Sequence, residues 1–136
     1  MASIKELMDK AWDIIESQRW NQLGEVFTAT TEFRMPGQTT RGPDEFRALC
    51  EAWWSAFPDL RHQVASEIES GNSYVCELVM VGTHKGTMRT PKGDIPATGK
   101  PVQMSSCDYI TVKDGRIASW HAYPDMIGLL GQLGAA

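Results

Sequence analysis

Residues 103–125, QMSSCDYITVKDGRIASWHAYPD, constrain this chain more than any other stretch. They read as two strands joined by a tight turn and running into a last short helix, which commits this end of the chain to a sheet. In 104–112 the even positions, Met104, Ser106, Asp108, Ile110 and Val112, are more apolar than Ser105, Cys107, Tyr109 and Thr111. Side chains alternate across a strand, so the even set faces inward and takes Asp108 with it. An acid turned inward, with Trp120 on the next strand, makes this hairpin the expected wall of any internal site.

The rest of the chain supplies what such a wall needs. Ser3 and Glu6 form a capping-box pattern, and Ile4, Leu7, Met8, Ala11, Ile14 and Ile15 recur at helical spacing, which predicts an amphipathic helix over about 3–17. Trp20, Leu23 and Phe27 predict a second short helix ending near Thr28. Glu32-Phe33-Arg34-Met35 alternates charged and apolar side chains, a short strand with Phe33 and Met35 inward and Glu32 outward. Gly42-Pro43-Asp44 opens a third helix with the stripe Phe46, Leu49, Cys50, Trp53 and Phe57, stopped by Pro58. Strands are then expected over 60–69, 73–86, 102–112 and 116–123, with Pro124 and Asp125 opening the last helix. This order gives a single α+β domain in which three helices pack on the concave face of a curved antiparallel sheet. Such a cone encloses an apolar cavity suited to a small molecule.

Charge and composition narrow the functions. The net charge is −4, against the clustered Lys and Arg that nucleic-acid binding needs. No apolar run approaches a membrane span, and Lys5, Glu6 and Asp9 do not fit a signal or transit peptide. Cys50, Cys76 and Cys107 are odd in number and far apart, with no metal spacing, so a reduced, cytoplasmic setting is expected. Gly-rich phosphate loops, nucleophile elbows and zinc motifs are missing from the sequence.

Several local motifs, in order along the chain, resemble the SnoaL-like polyketide cyclase family of the NTF2-like superfamily. They are FRMPG with RGPDEFRAL, AFPDL, GTHKG, PATGKPV, KDGRI and YPDMIGLLGQLG. The resemblance implies a cone-shaped fold (a cystatin-like α+β barrel), no metal or organic cofactor, and homodimers formed through the sheet. It also implies where chemistry sits. The cyclases place an acid/base aspartate two residues before the proline of the last motif, where this chain has Ala122. Ketosteroid isomerases of the same superfamily place their base just before the proline after the first strand, where this chain has Met35. Asp108 falls where those isomerases hold a protonated aspartic acid that stabilises an oxyanion.

Alternation on the third predicted strand sets Cys76, Leu78, Met80 and His84 on one face, which turns His84 inward as a candidate general base. The last hairpin admits two registers. An Asp114-Gly115 turn pairs Asp108 with His121, whereas a bulged Lys113-Asp114-Gly115 loop pairs Asp108 with Trp120, and Val112 with Arg116. The resemblance favours the bulged loop, with Ala122 in the cavity and His121 outward. Asp108 and His84 are thus the expected catalytic residues. Trp120, Phe33, Met35, Trp53, Phe57, Met80, Met104 and Ala122 are expected to hold the substrate, with Trp120 stacking on a flat ring. His62 and His121 are expected at the surface or a sheet edge. The reading is a cofactor-independent enzyme that cyclises, isomerises or dehydrates an apolar carbonyl compound. Its rival is a binding protein that has lost the family base. Val75, Val79, Val81 and Tyr109 make the outer sheet face apolar enough for a dimer.

Overall fold

The extended backbone at Ser3 lets its Oγ accept the Glu6 amide at 3.1 Å, which starts α1 (Ile4–Glu16). The buried face of α1 carries Met8, Ala11, Ile14 and Ile15, together with Trp12, which sits four residues after Met8 on the same stripe. A 3₁₀ helix, Trp20–Glu25, buries Leu23. The second helix expected to reach Thr28 stops short, and Phe27 opens β1 (Phe27–Met35). The threonines there favour extended backbone, and Thr31 Oγ1 donates to the Ile117 carbonyl at 2.5 Å, a tertiary bond that local spacing does not reveal. β2 (Gln38–Arg41) folds back on β1 and feeds α2 (Gly42–Ala56). Gly42 has φ +77°, and a Cβ there would lie 2.6 Å from the Ala29 carbonyl, so the helix can start this close to β1 only with glycine. Phe46, Cys50, Trp54 and Ala56 are among the buried residues of α2, and Trp53 is half-buried.

The strands β3 (Arg61–Ser70) and β4 (Ser73–Thr83) form the next hairpin. Within the Gly/Pro-rich loop, β5 (Met88–Thr90) and β6 (Gly93–Ile95) make a separate small hairpin. β7 (Pro101–Lys113) and β8 (Arg116–Pro124) follow, and α3 (Met126–Gln132) is capped by Asp125, whose Oδ1 accepts the Gly128 amide at 2.8 Å. These bounds describe residues 3–135 of the chain in a computed structural model.

The six-stranded sheet runs β2-β1-β8-β7-β4-β3. It is mixed rather than antiparallel, because β1 and β8 pair in parallel while their other neighbours pair antiparallel. Tight turns dictate direction only between consecutive strands. The β1–β8 pair is joined by most of the chain, so no local signal sets its sense.

The β7–β8 turn corrects the expected register. Lys113 pairs with Arg116 across a two-residue Asp114-Gly115 turn, both residues at positive φ (52° and 77°), as a type I′ turn requires. The bulge lies further on, between the Val112↔Ile117 and Thr111↔Ser119 pairs, and inserts Ala118 into β8. Asp108 therefore pairs with Ala122 and Trp120 pairs with Ile110, not with Asp108. The bulge still turns Trp120 and Ala122 to the inner face and pairs His121 with Tyr109 on the outer one.

Candidate active site

Asp108 is 3% exposed, deep on the inner face of β7. Ser106, two residues back on the same face, donates to its Oδ1 at 2.6 Å, and the Trp120 indole donates to its Oδ2 at 2.9 Å. Burial pushes the carboxyl above its ordinary value, and these two bonds, which favour the charged form, only partly offset that. Cys76 is its cross-strand neighbour on β4. Burial, then the nearby Asp108, pushes that thiol up to about 12, so it stays protonated and inert as a nucleophile.

Asp108, Ser106 and Trp120 line an apolar cavity between the sheet and the helices. The cavity holds about 90 Å³, or about 620 Å³ once the space continuous with solvent at its mouth is counted. Of the predicted substrate residues, Phe33, Met35, Trp53, Met80, Met104, Trp120 and Ala122 all lie in its wall. Trp12, Phe46, Leu49, Trp54 and Ser106 join them without having been singled out as substrate contacts. Trp54 follows Cys50 by four residues and Ser106 precedes Asp108 by two, so helix and strand periods alone were enough to find both. Trp120 is held on several sides, by Trp12 at 5.2 Å, Phe33 at 5.7 Å and Phe46 at 5.9 Å between ring centres. It is 2% exposed, so it serves as a fixed donor and packing centre more than as an open stacking platform.

The cavity has a closed end and an open end. Ile110 and Ile117, beyond Asp108 and Trp120, are fully buried, whereas Leu49, Trp53 and Pro124 at the other end are half-buried. Of the lining residues on β7, Met104 and Ser106 are each 8% exposed and Asp108 3%, so Asp108 is the deepest of the three.

His84 and Phe57 do not reach this cavity. His84 lies just past β4, wholly buried, with Nδ1 3.0 Å from Thr98 Oγ1 and accepting the Thr98 amide at 3.2 Å. Its Nε2 has no hydrogen-bond partner among the described residues. Its ring packs 5.2 Å from that of Phe57, which in turn stacks on Trp53. Alternation predicted an inward residue correctly, but the strand ends at Thr83 and the ring turns to the 84–100 loop. The GTHKG and PATGKPV motifs thus meet as a clasp: the His84 amide donates to the Lys100 carbonyl, and the Gly99 amide to the His84 carbonyl. The AFPDL motif is likewise structural at its acid, since Asp59 accepts both the Thr83 amide and hydroxyl, bonds that hold its carboxyl below the usual range.

Of the remaining histidines, His62 lies on the sheet-edge strand β3 as expected and His121 on the central strand β8, and both are half-buried and paired. His62 stacks on Trp12 at 4.3 Å with Nδ1 2.7 Å from Glu16, and His121 has Nε2 2.9 Å from Glu32 on the outer face. Among the described residues no three His, Cys, Asp or Glu side chains converge as a metal site, and no helix is long and apolar enough to cross a membrane.

The sequence profile of the SnoaL-like polyketide cyclases matches residues 3–133. Over 95 residues, 69% of this chain, the sequence is 30% identical to aklanonic acid methyl ester cyclase DnrD of Streptomyces peucetius, and the match spans 63% of that protein. TsrD from Streptomyces laurentii has the same fold with a TM-score of 0.82 at 25% identity, over 98% of this chain and 96% of that one. A SnoaL-like polyketide cyclase of Agrobacterium tumefaciens gives 0.79 at 18% identity, over 98% of this chain and all (100%) of its own. The cone of helices on a curved mixed sheet and a family match over nearly the full length lead to one conclusion: the chain belongs to the SnoaL-like polyketide cyclases, within the NTF2-like superfamily.

Proposed function

We propose that this protein closes a ring in a small, largely apolar carbonyl compound held in the cavity, with Asp108 as the acid whose proton neutralises charge developing on the carbonyl oxygen. Family membership supports a cyclase-type enzyme that works without a cofactor. The single observation that carries the finer reading is a buried carboxyl raised above its usual range inside an apolar cavity. Forming a carbon–carbon bond to a carbonyl leaves negative charge on its oxygen, and a neutral acid at that point lowers the barrier. In a dry cavity such a donor acts more strongly than in water. The enclosed space of about 90 Å³ is too small for a whole polycyclic substrate, so such a substrate enters with its reacting carbonyl first, keeps its bulk at the mouth and pushes Leu49 and Trp53 aside.

The test takes aklanonic acid methyl ester, the compound in the name of the matched relative, and follows its conversion by chromatography. Wild type is expected to convert it or a smaller analogue, and Asp108→Asn is expected to lose about 10²–10⁴-fold in rate. Turnover unaffected by Asp108→Asn removes the acid from the reaction. Met35 and Ala122 favour a second reading, a binder without turnover, because neither side chain can take a proton although both line the cavity. Tight ligand binding with no product formed would select it.

The proposed partner, besides the ligand, is a second copy docked through the outer sheet face. Ile68 at 71% exposure and Tyr109 at 43% stand there beside Val75, in one row across β3, β4 and β7. Light scattering is expected to give the mass of a dimer, and Tyr109→Lys that of a single chain.

A further inference from the structure

We infer that Ser106, not Asp108, is the group that touches the substrate oxygen, and that it relays the proton of Asp108 to it. This rests on the proposed role of Asp108 as the acid and specifies how that acid reaches its target.

Trp120 decides which carboxyl oxygen carries the proton. An indole N–H only donates, so Oδ2 of Asp108 must accept from it at 2.9 Å whether the carboxyl is charged or neutral. The exchangeable proton of the neutral acid is thereby assigned to Oδ1. Oδ1 faces Ser106 Oγ at 2.6 Å, within the range of a strong O–H···O bond. A hydroxyl both donates and accepts. When Asp108 is neutral, Ser106 accepts from Oδ1 and its own hydrogen is free to turn into the cavity. When Asp108 is charged, Ser106 turns that hydrogen back to Oδ1. Ser106 also stands one inner-face position nearer the mouth, between Met104 and Asp108 on β7, and it is the more exposed of the pair, 8% against 3%. A carbonyl arriving from the mouth meets its hydroxyl first.

The step starts from the enolate form of the substrate, whose C–H proton has passed to solvent; its carbon bonds to the carbonyl carbon as the carbonyl π pair moves onto oxygen. As the substrate oxygen gains negative charge, it takes the hydrogen of Ser106 Oγ and becomes a hydroxyl. Ser106 Oγ takes the proton from Asp108 Oδ1 and remains a serine hydroxyl. Asp108 is left as a carboxylate that accepts from Ser106 and Trp120, the arrangement its two donors favour. Solvent returns the proton before the next cycle.

Two measurements test it, and only one needs turnover. A nitrophenol, whose absorbance distinguishes phenol from phenolate, serves as an oxygen-bearing probe of the cavity. Ser106→Ala is expected to weaken its binding at least about tenfold, and Ser106→Thr, which keeps the hydroxyl, to restore most of that. A probe that does not bind wild type, or binds Ser106→Ala as tightly while Asp108→Asn weakens it, overturns the relay and makes Asp108 the direct donor. With the ester as substrate, the rate is expected to depend on the deuterium fraction of the solvent along a curve in wild type and a straight line in Ser106→Ala, since one transferred proton has been removed. Straight lines in both proteins also overturn it. Lack of wild-type turnover of the ester and of its smaller analogues refutes the cyclase reading alone, because the nitrophenol measurement stands without it.

Discussion

Trp120 donates to Asp108 from a position diagonal to it, not opposite: Ala122 holds the facing place, and the indole reaches back along β8 to Oδ2 at 2.9 Å. The bulge at Ala118 makes this reach possible, since without it Asp108 would face His121 and Trp120 would point to the outer face. Asp108 is the one carboxyl side chain among the described residues lining the cavity, and its bond from the indole depends on a single inserted residue near the start of β8.

That arrangement makes stability depend on pH in a direction opposite to the usual carboxylate. Asp108 binds its proton more readily in the folded chain than in the unfolded one, so it supports folding below the ordinary carboxylate range. That support is lost as pH rises through the raised folded-state value. Asp59 and Glu32, whose folded values are lowered, act in the opposite sense. Subtracting an Asp108→Asn variant isolates the one group. The side-chain amide that Asp108→Asn introduces still accepts from Trp120 and bonds Ser106, so the variant folds. Denaturant melts from acid to neutral pH are expected to show wild type losing stability relative to Asp108→Asn as pH rises. A difference that stays flat or changes the other way refutes the raised value.

Trp120→Phe keeps a ring in the same packing and deletes the donor. A charged Asp108 then has an unmet oxygen in an apolar wall, at a cost of about 1–3 kcal/mol. With one fewer bond to its charged form, the acid holds its proton to still higher pH. The limb of kcat/KM that reports the acid is expected to move to higher pH than in wild type. A limb that moves down, or does not move, argues against the indole bond as a control on the acid.

How far the sequence carries can be read from these same residues. Inward placement of Asp108 was legible, because strand alternation depends only on counting along the chain; that of Trp120 and Ala122 hung on the hairpin register, which alternation left open and the family resemblance favoured. The turn was not, since two routes bring those residues inward and the choice lies in a bulge at Ala118, an ordinary residue in an alternating strand. The parallel pairing of β1 with β8 left no local mark either. His84 shows the limit of alternation itself, which predicts a face but not where the strand stops; beyond Thr83 the loop's own hydrogen bonds decide.

His84 is therefore expected to matter for folding and not for chemistry. Its Nδ1 and backbone hold Thr98, Gly99 and Lys100, and its ring fills space against Phe57. Removing it opens a hole and leaves the Thr98 amide without its partner, which is expected to cost about 2–5 kcal/mol in His84→Ala. Turnover per folded molecule is expected to stay within about threefold of wild type, far less than the loss of a general base, which is about 10²–10⁴-fold. Urea melts and rates corrected for the folded fraction check both, and a stable His84→Ala protein with lost activity would return His84 to the chemistry.

Ala122 faces Asp108 directly across β7 and β8, and facing Cβ atoms in such pairs lie about 5 Å apart. Restoring the cyclase aspartate as Ala122→Asp would set two carboxyls side by side in an apolar wall. Two charges at about 5 Å repel by on the order of 3 kcal/mol even with strong screening, so the pair would give up its protons in two separated steps. Ala122→Asp is expected to fold well at acid pH and to lose stability more steeply than wild type as pH rises, since both folded-state values are raised. Adding Asp108→Asn should relieve most of that loss, because one neutral amide removes the repulsion and can donate to the new carboxylate. Melts of wild type, each single variant and the double variant across pH give the interaction as the departure from additivity. If the two changes simply add, the facing positions are not in electrical contact, and Asp108 does not govern what its partner across the hairpin can be.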